Sequence, residues 1–138
     1  MRSEPYWLPF EEIIELNRDL VADTHEPHSI IQPGELESGA HRPAWHWEYE
    51  EEDDVVVLAV RLLYGIARAH GFIQGNKRTG FHAALMFLRL NGYELDPATD
   101  SDDLGRLIVD VLNDDVKEDT FVDVFRSFVR PTDADLPG

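Results

Sequence analysis

The chain has 138 residues, no cysteine and a formal net charge of −16, which suits one domain with a single core and excludes disulfide and thiol chemistry. So acidic a surface argues against nucleic acid or an anionic membrane as a partner, since both call for a basic face. No apolar run is long enough to span a bilayer and no basic and apolar leader opens the chain, so a cytoplasmic, unprocessed protein is expected.

Residues 1–8 show no periodicity and predict a poorly ordered arm, with Tyr6 and Trp7 as the residues able to pack it down. Pro9 reads as a first-turn proline followed by Glu11 and Glu12, and Ile13, Ile14, Leu16, Leu20 and Val21 recur near helical spacing, so a helix is expected over 9–22. Residues 23–34 are a loop rich in His and Pro, where His25 and His28 lack a third ligand at metal-binding spacing. A short helix is expected over 35–41, ended by Arg42-Pro43. The aromatic stretch at 44–49 offers Trp45, Trp47 and Tyr49 either as anchors for a partner or as cover for the core.

Five acids at 50–54 precede an apolar segment, where Asp53 or Asp54 can cap and the rest complement the helix dipole. That segment, 55–69, is apolar almost all round, as a helix buried at a domain centre would be. A second core helix is expected over 81–90, closed by Asn91-Gly92. A short extended piece follows at 93–96, with Pro97 stopping any helix. Another helix opens at Ser101 with Leu104, Leu107, Ile108, Val111 and Leu112 on one face, and after a polar break at 113–117 the last one places Phe121, Val124, Phe125, Phe128 and Val129 inward until Pro131. Residues 132–138 read as a frayed tail. Five or six helices without a convincing sheet give an all-α bundle around the segments 55–69 and 81–90.

Between those two helices lies His70-Gly71-Phe72-Ile73-Gln74-Gly75-Asn76-Lys77-Arg78-Thr79. A glycine and a cationic run at a helix start build an anion site from unpaired N–H groups and the positive end of the dipole. Gly75 lets the backbone approach a phosphate, Asn76 can orient the loop or bond the phosphate, and Lys77 and Arg78 supply charge. His70 is the nearby proton acceptor, histidine being the residue that exchanges protons near neutral pH. A phosphate cradle beside a base suggests phosphoryl or nucleotidyl transfer; the same run also suits a solvated helix start with a surface histidine.

The motif resembles the signature His-x-Phe-x-x-Gly-Asn-Lys-Arg-Thr of the Fic/Doc (Fido) family, in its death-on-curing, Doc-like form. The similarity continues through residues 83–92 and reaches back to Arg68, Leu36-Glu37-Ser38 and Arg42-Pro43, covering most of residues 8–129. It implies a single Fido-type helical domain over 9–130, flanked by an arm at 1–8 and a tail at 131–138, with a short flap before the central helix. By resemblance, His70 is the general base toward a protein hydroxyl, Phe72 packs inward, and Gly75 and Asn76 form the anion hole. Lys77, Arg78 and Arg68 hold the phosphates of ATP. Trp45, His46 and Trp47 fall where the family's flap holds a target segment by strand-like pairing.

Most Fic proteins transfer AMP, whereas the Doc-like form carries Lys at the position of Lys77 and transfers a phosphoryl group to an elongation factor. Phe81, standing where the AMP-transferring form has a further Arg, agrees with the phosphoryl reading. Gln74 departs from the Asp or Glu that ligates Mg²⁺ in the family, and a neutral amide oxygen is a poorer ligand for a hard cation. No inhibitory motif of the family is found in the chain, which fits a toxin restrained by a separate antitoxin, seated in a groove lined by the N-terminal and motif helices. A catalytically silent Fido domain acting as a binding or regulatory module is the other reading, with Gln74 as the lesion.

Overall fold

The computed structural model describes residues 2–114 and 116–132. Six helices follow one another: α1 (Phe10–Asp23), α2 (Pro33–Tyr49), α3 (Val55–Ala69), α4 (Asn76–Leu90), α5 (Ser101–Asn113) and α6 (Glu118–Arg126). Two three-residue strands, β1 (Tyr93–Leu95) and β2 (Val129–Pro131), pair antiparallel with Glu94 opposite Arg130. The architecture is all-α.

The helix α3 is the axis, because its sequence is apolar on nearly every side, with Arg61 and Arg68 as its charged residues. Val56, Leu58, Ala59, Val60, Leu62, Leu63, Tyr64, Ile66 and Ala67 are all buried, so neighbours must cover it on several sides. Asp54 starts it by accepting hydrogen bonds from the N–H groups of Val56 (2.9 Å) and Val57 (3.4 Å). α2 and α4 cover it at close quarters. A Cβ on Gly39 would sit 2.2 Å from the Gly65 carbonyl oxygen, and one on Gly80 would sit 2.7 Å from that of Leu63. Backbone therefore lies on backbone at both crossings, and any side chain there would push the helices apart.

Several sequence expectations are corrected. α2 does not stop at Arg42-Pro43 but runs through it, so residues 44–49 are helical and no strand-like flap forms there. Proline removes one hydrogen bond, to the carbonyl four residues back. That carbonyl belongs to Gly39, whose oxygen lies 2.3 Å from where a Gly65 Cβ would be, a place where it can meet a Cα–H instead. The Pro43 ring is itself buried, and Trp47 joins the core further along, so packing holds the helix past the break. α4 begins at Asn76 rather than at residue 81, because the polar run takes the first turn of the helix. Pro9 is the N-cap of α1 rather than part of its first turn, since its ψ of 143° is extended. The last helix ends at Arg126, and Val129 joins a strand against Leu95 instead of an inward helical face. Leu107 and Val124 are about half exposed, and Val122 takes the buried place on α6. Of the expected tail, only Thr132 falls within the described residues.

The arm lies on the body of the fold. Trp7 stacks on Phe87 at 5.9 Å between ring centroids, and the Tyr6 backbone exchanges two 2.9 Å hydrogen bonds with the Asn91 side chain. At the opposite side, α6 is tied down by charge. Glu118, its first residue, accepts a forked pair from Arg42 (2.7 and 2.8 Å) and a third bond from Arg61 (3.1 Å). Burial by itself would raise the Glu118 carboxyl, but the hydrogen bonds and charges of the two arginines outweigh it and hold the carboxyl below its ordinary value.

That shift has a definite sign. A carboxyl depressed in the fold contributes stability above its unfolded value, and the contribution disappears as pH falls through the folded value. Glu118→Gln should therefore cost roughly 1–3 kcal/mol at neutral pH, the scale of breaking a charged hydrogen-bond network. Denaturant titrations of both proteins should converge as the pH is lowered below about 4, where the ordinary carboxylate range ends; a gap that persists undiminished well below that pH would contradict the assignment.

Candidate active site

The loop joining α3 to α4 is fixed by bonds that the sequence places within it. Asn76 closes it: its Oδ1 accepts from the Phe72 N–H at 3.0 Å and its Nδ2 donates to the Phe72 carbonyl at 2.8 Å. Of the two roles open to Asn76, its side chain takes loop orientation. Phe72 is buried beneath the loop as its anchor. His70 ends α3 in the left-handed region, with φ 49° and ψ 41°, a conformation that costs a non-glycine residue free energy and persists where its surroundings enforce it. The enforcement comes from the α1–α2 connection: Gln32 Nε2 donates to the His70 carbonyl (3.1 Å), while the N–H groups of Ile31 (2.7 Å) and Gln32 (3.1 Å) both reach the Gly71 carbonyl. Ile73 N–H completes the pairing by donating to the Ser29 carbonyl at 2.9 Å.

Asn17 is the member that sequence reading missed. It is fully buried on α1, between Ile13 and Val21 along one face. Its Nδ2 donates to the Gln74 carbonyl (2.8 Å) and to Thr79 Oγ1 (3.0 Å), and its Oδ1 meets His28 Nδ1 at 2.8 Å. One amide thus joins α1, the motif loop, the first turn of α4 and the α1–α2 connection. The available signal was a polar residue inside an apolar stripe. Gly75, which follows Gln74, has φ +76°, and a Cβ there would meet Val21 Cγ1 at 3.0 Å as well as adopt a backbone that L residues rarely take.

A cavity of about 380 Å³ opens above this loop, and His70, Ile73, Gln74, Gly75, Asn76, Lys77 and Arg78 line it. Glycine as N-cap gives α4 no side-chain cap, and its first turn holds no acid. By contrast α1, α2, α5 and α6 each carry acids in the first turn, and α3 is capped by Asp54. The N-terminus of α4 is therefore an electropositive spot on an acidic chain, which is what an anion requires. Arg78 is held at the rim by Glu26 (2.5 Å) and Thr24 (3.4 Å), and Thr24 and Arg78 keep the Glu26 carboxyl below its ordinary value. Lys77 donates to Asn113 Oδ1 at the end of α5. One turn beyond Arg78, burial lowers the pKa of His82, with Asp102 opposing and Arg78 adding.

The remaining sequence candidates are placed elsewhere. Arg68 lies exposed on α3 with its guanidinium 4.6 Å from the centre of the Tyr64 ring, beside a second cavity that Trp45 also lines. His46 pairs with Glu50 at 2.7 Å, and Trp47 faces a third cavity under the arm. The extended backbone next to the motif is instead residues 29–32, bridged through Ile30 to Phe72. For a metal, the cavity lining offers Gln74 but no carboxylate, and no cluster of three His, Asp or Glu suited to a metal ion occurs among the described residues. This donor set does not form a resident magnesium site.

A helical core whose central loop carries a histidine and leads into a cationic helix start defines a class of protein. The chain belongs to the Fic/Doc family: a sequence model of that family, described as Fic/DOC family, matches residues 7–88. It is 30% identical over 116 residues to the protein kinase doc of Escherichia phage P1, a match spanning 84% of this chain and 90% of that protein.

Asn17→Leu should strand the Gln74 carbonyl, Thr79 and His28 together, lowering stability by roughly 2–3 kcal/mol as buried polar groups lose their partners. Amide hydrogen exchange should show the loss concentrated at residues 71–79; uniform exchange across α3 and α4 would count against a local role.

Proposed function

We propose that this protein transfers the γ-phosphoryl group of ATP to a hydroxyl of a target protein, as a Doc-like toxin. The observation that carries the reading is that His70 and the uncapped, cationic start of α4 line one cavity. In that arrangement His70 takes the proton of a Ser, Thr or Tyr hydroxyl, the oxygen bonds to the γ-phosphorus, and the bond to the bridging oxygen breaks to release ADP. The N–H groups at the start of α4, with Lys77 and Arg78, hold the phosphates and stabilise charge as it moves. Binding exchanges Glu26 for phosphate oxygens on the Arg78 fork. Because the lining supplies no anionic oxygen, magnesium enters as part of the ATP substrate, and Gln74 contributes at most a neutral oxygen.

The phosphoryl reading over AMP transfer rests on Lys77, on Phe81 in place of a further arginine, and on the name of the phage P1 relative, a protein kinase. For the target segment, residues 29–32 suit better than residues 45–47: Ile31 and Ile73 are about half exposed on either side of the extended pairing. A translation elongation factor is the target class implied by resemblance. An antitoxin would seat in the groove of about 510 Å³ between α1 and α4, where Leu8, Pro9, Met86 and Leu90 are flanked by Glu12 and Arg89. Cytoplasmic action follows from such partners, and no helix among the described residues is long and apolar enough to cross a membrane.

The silent binding module is the second reading, favoured by the absence of a carboxylate beside Gln74. Incubating a cell extract with the protein and Mg-ATP, then measuring intact masses, separates these outcomes. A phosphoryl increment that falls roughly 10²–10⁴-fold with His70→Ala matches the loss of a general base. An adenylyl increment moves the chain to AMP transfer, and no increment with the wild type, restored by Gln74→Asp, establishes a silenced site.

A further inference from the structure

The motif cavity borrows part of its lining from α5, a helix distant in sequence: Val109 stands in it beside residues of α3 and the motif. Asn113, the last residue of α5, follows Val109 by one helical turn, so the two share a face of that helix. Across a separation of 36 residues, Asn113 Oδ1 accepts a hydrogen bond from Lys77 Nζ.

Lys77 is a side chain that needs holding. It stands in the first turn of α4, where the helix dipole repels a cation, and its four-carbon stem has many rotamers to lose. On a chain of net charge −16 such an ammonium finds carboxylates in several directions, and Asp110 and Asp114 lie along α5 and at its cap. Asn113 supplies the missing restraint. Its amide oxygen fixes one of the three donors of the ammonium, and the last carbonyls of α5, a helix with no basic residue in its final turn, add the negative end of a dipole.

The neighbouring cation is held differently. Arg78 is paired with the Glu26 carboxylate at 2.5 Å, which a phosphate has to displace. Lys77 pairs with no carboxylate among the described residues, and a neutral amide holds its position without cancelling its charge. Of the two cations that line the cavity, Lys77 is therefore the one whose charge is free for an incoming anion.

We propose that Asn113 is a positioning residue of this site: its amide oxygen keeps the Lys77 ammonium on the α5 wall of the cavity, fixed but not neutralised, where it meets the phosphates of the nucleotide. The service to a nucleotide rests on the transferase reading, whereas the hold on Lys77 and its effect on a phosphate anion do not.

Lys77 and Lys117 are the lysines of the chain, so protein carrying Lys117→Arg and ¹³C-labelled lysine reports on Lys77 alone. Its two ε-methylene protons should differ in shift while Asn113 holds the ammonium, and Asn113→Ala should merge them. Asn113 is exposed, and an unchanged thermal midpoint will show that its variants are folded. Inorganic tripolyphosphate, which demands no transfer, should move the Lys77 signals saturably and bind Asn113→Ala roughly two- to ten-fold more weakly, the reach of one hydrogen bond. Asn113→Asp should keep the two protons distinct yet weaken tripolyphosphate further, because a carboxylate both occupies the ammonium and repels the anion. In a Lys77→Met background, Asn113→Ala should cost nothing more. Merged ε-protons with Asn113 in place, Lys77 signals that tripolyphosphate leaves still, or an equal loss in the Lys77→Met background would overturn the proposal. Failure of the wild type to modify any protein with Mg-ATP would sink the transferase reading and leave these results to decide the role of Asn113.

Discussion

The fold depends on the burial of α3. A helix apolar on nearly every side cannot be satisfied by one neighbour, and the close packing of α2 and α4 against it is possible because Gly39, Gly65 and Gly80 remove side chains from the crossings. Once those backbones touch, the distance between the end of α3 and the start of α4 is set. The six residues from His70 to Gly75 must turn the chain within it, and the left-handed backbone at both ends of that loop is how they do so. The strain at His70 and the exposure of the α4 N-terminus are consequences of that geometry.

Polar groups then convert a tight turn into a fixed one. Asn76 bonds both sides of Phe72, and Asn17 reaches from a different helix to the Gln74 carbonyl and Thr79. Both amides are taken up within the fold, so among the residues lining the cavity it is His70, Lys77 and Arg78 that offer side chains for the proposed phosphate chemistry. Holding donors rigid before a ligand arrives is what makes such a site effective, because no reorganisation is needed as charge develops. The Glu26–Arg78 pair keeps the guanidinium at the rim meanwhile, at a position phosphate oxygens can take over.

The chain's charge acts on a different scale from these contacts. Acids gather at the starts of α1, α2, α5 and α6, where each complements a dipole, and they leave α4 alone. The result is a cationic spot in a strongly negative field. Other acids, Glu4, Glu37 and Glu48, line the cavity beneath the arm.

Periodicity and punctuation carried much of this protein. The central helix, its acidic cap, the second core helix, the two C-terminal helix starts and the motif between α3 and α4 are legible from residue types, because each rests on local patterns of burial, capping and turn formation. Pro43 inside a helix, the helical course of residues 44–49 and the place of Val129 in a strand were not, since each is decided by a partner distant in sequence: Gly65 and the core for α2, Leu95 for β2. Asn17 shows the same limit within the site. Alone it is a polar residue interrupting an apolar stripe; only when α1 packs against the motif loop does it find a carbonyl, a hydroxyl and an imidazole within reach. The sequence by itself determined which residues could do chemistry here, because that depends on functional groups and spacing. The tertiary structure decided which of them share a cavity and which hold it in shape, because that depends on how closely backbones meet.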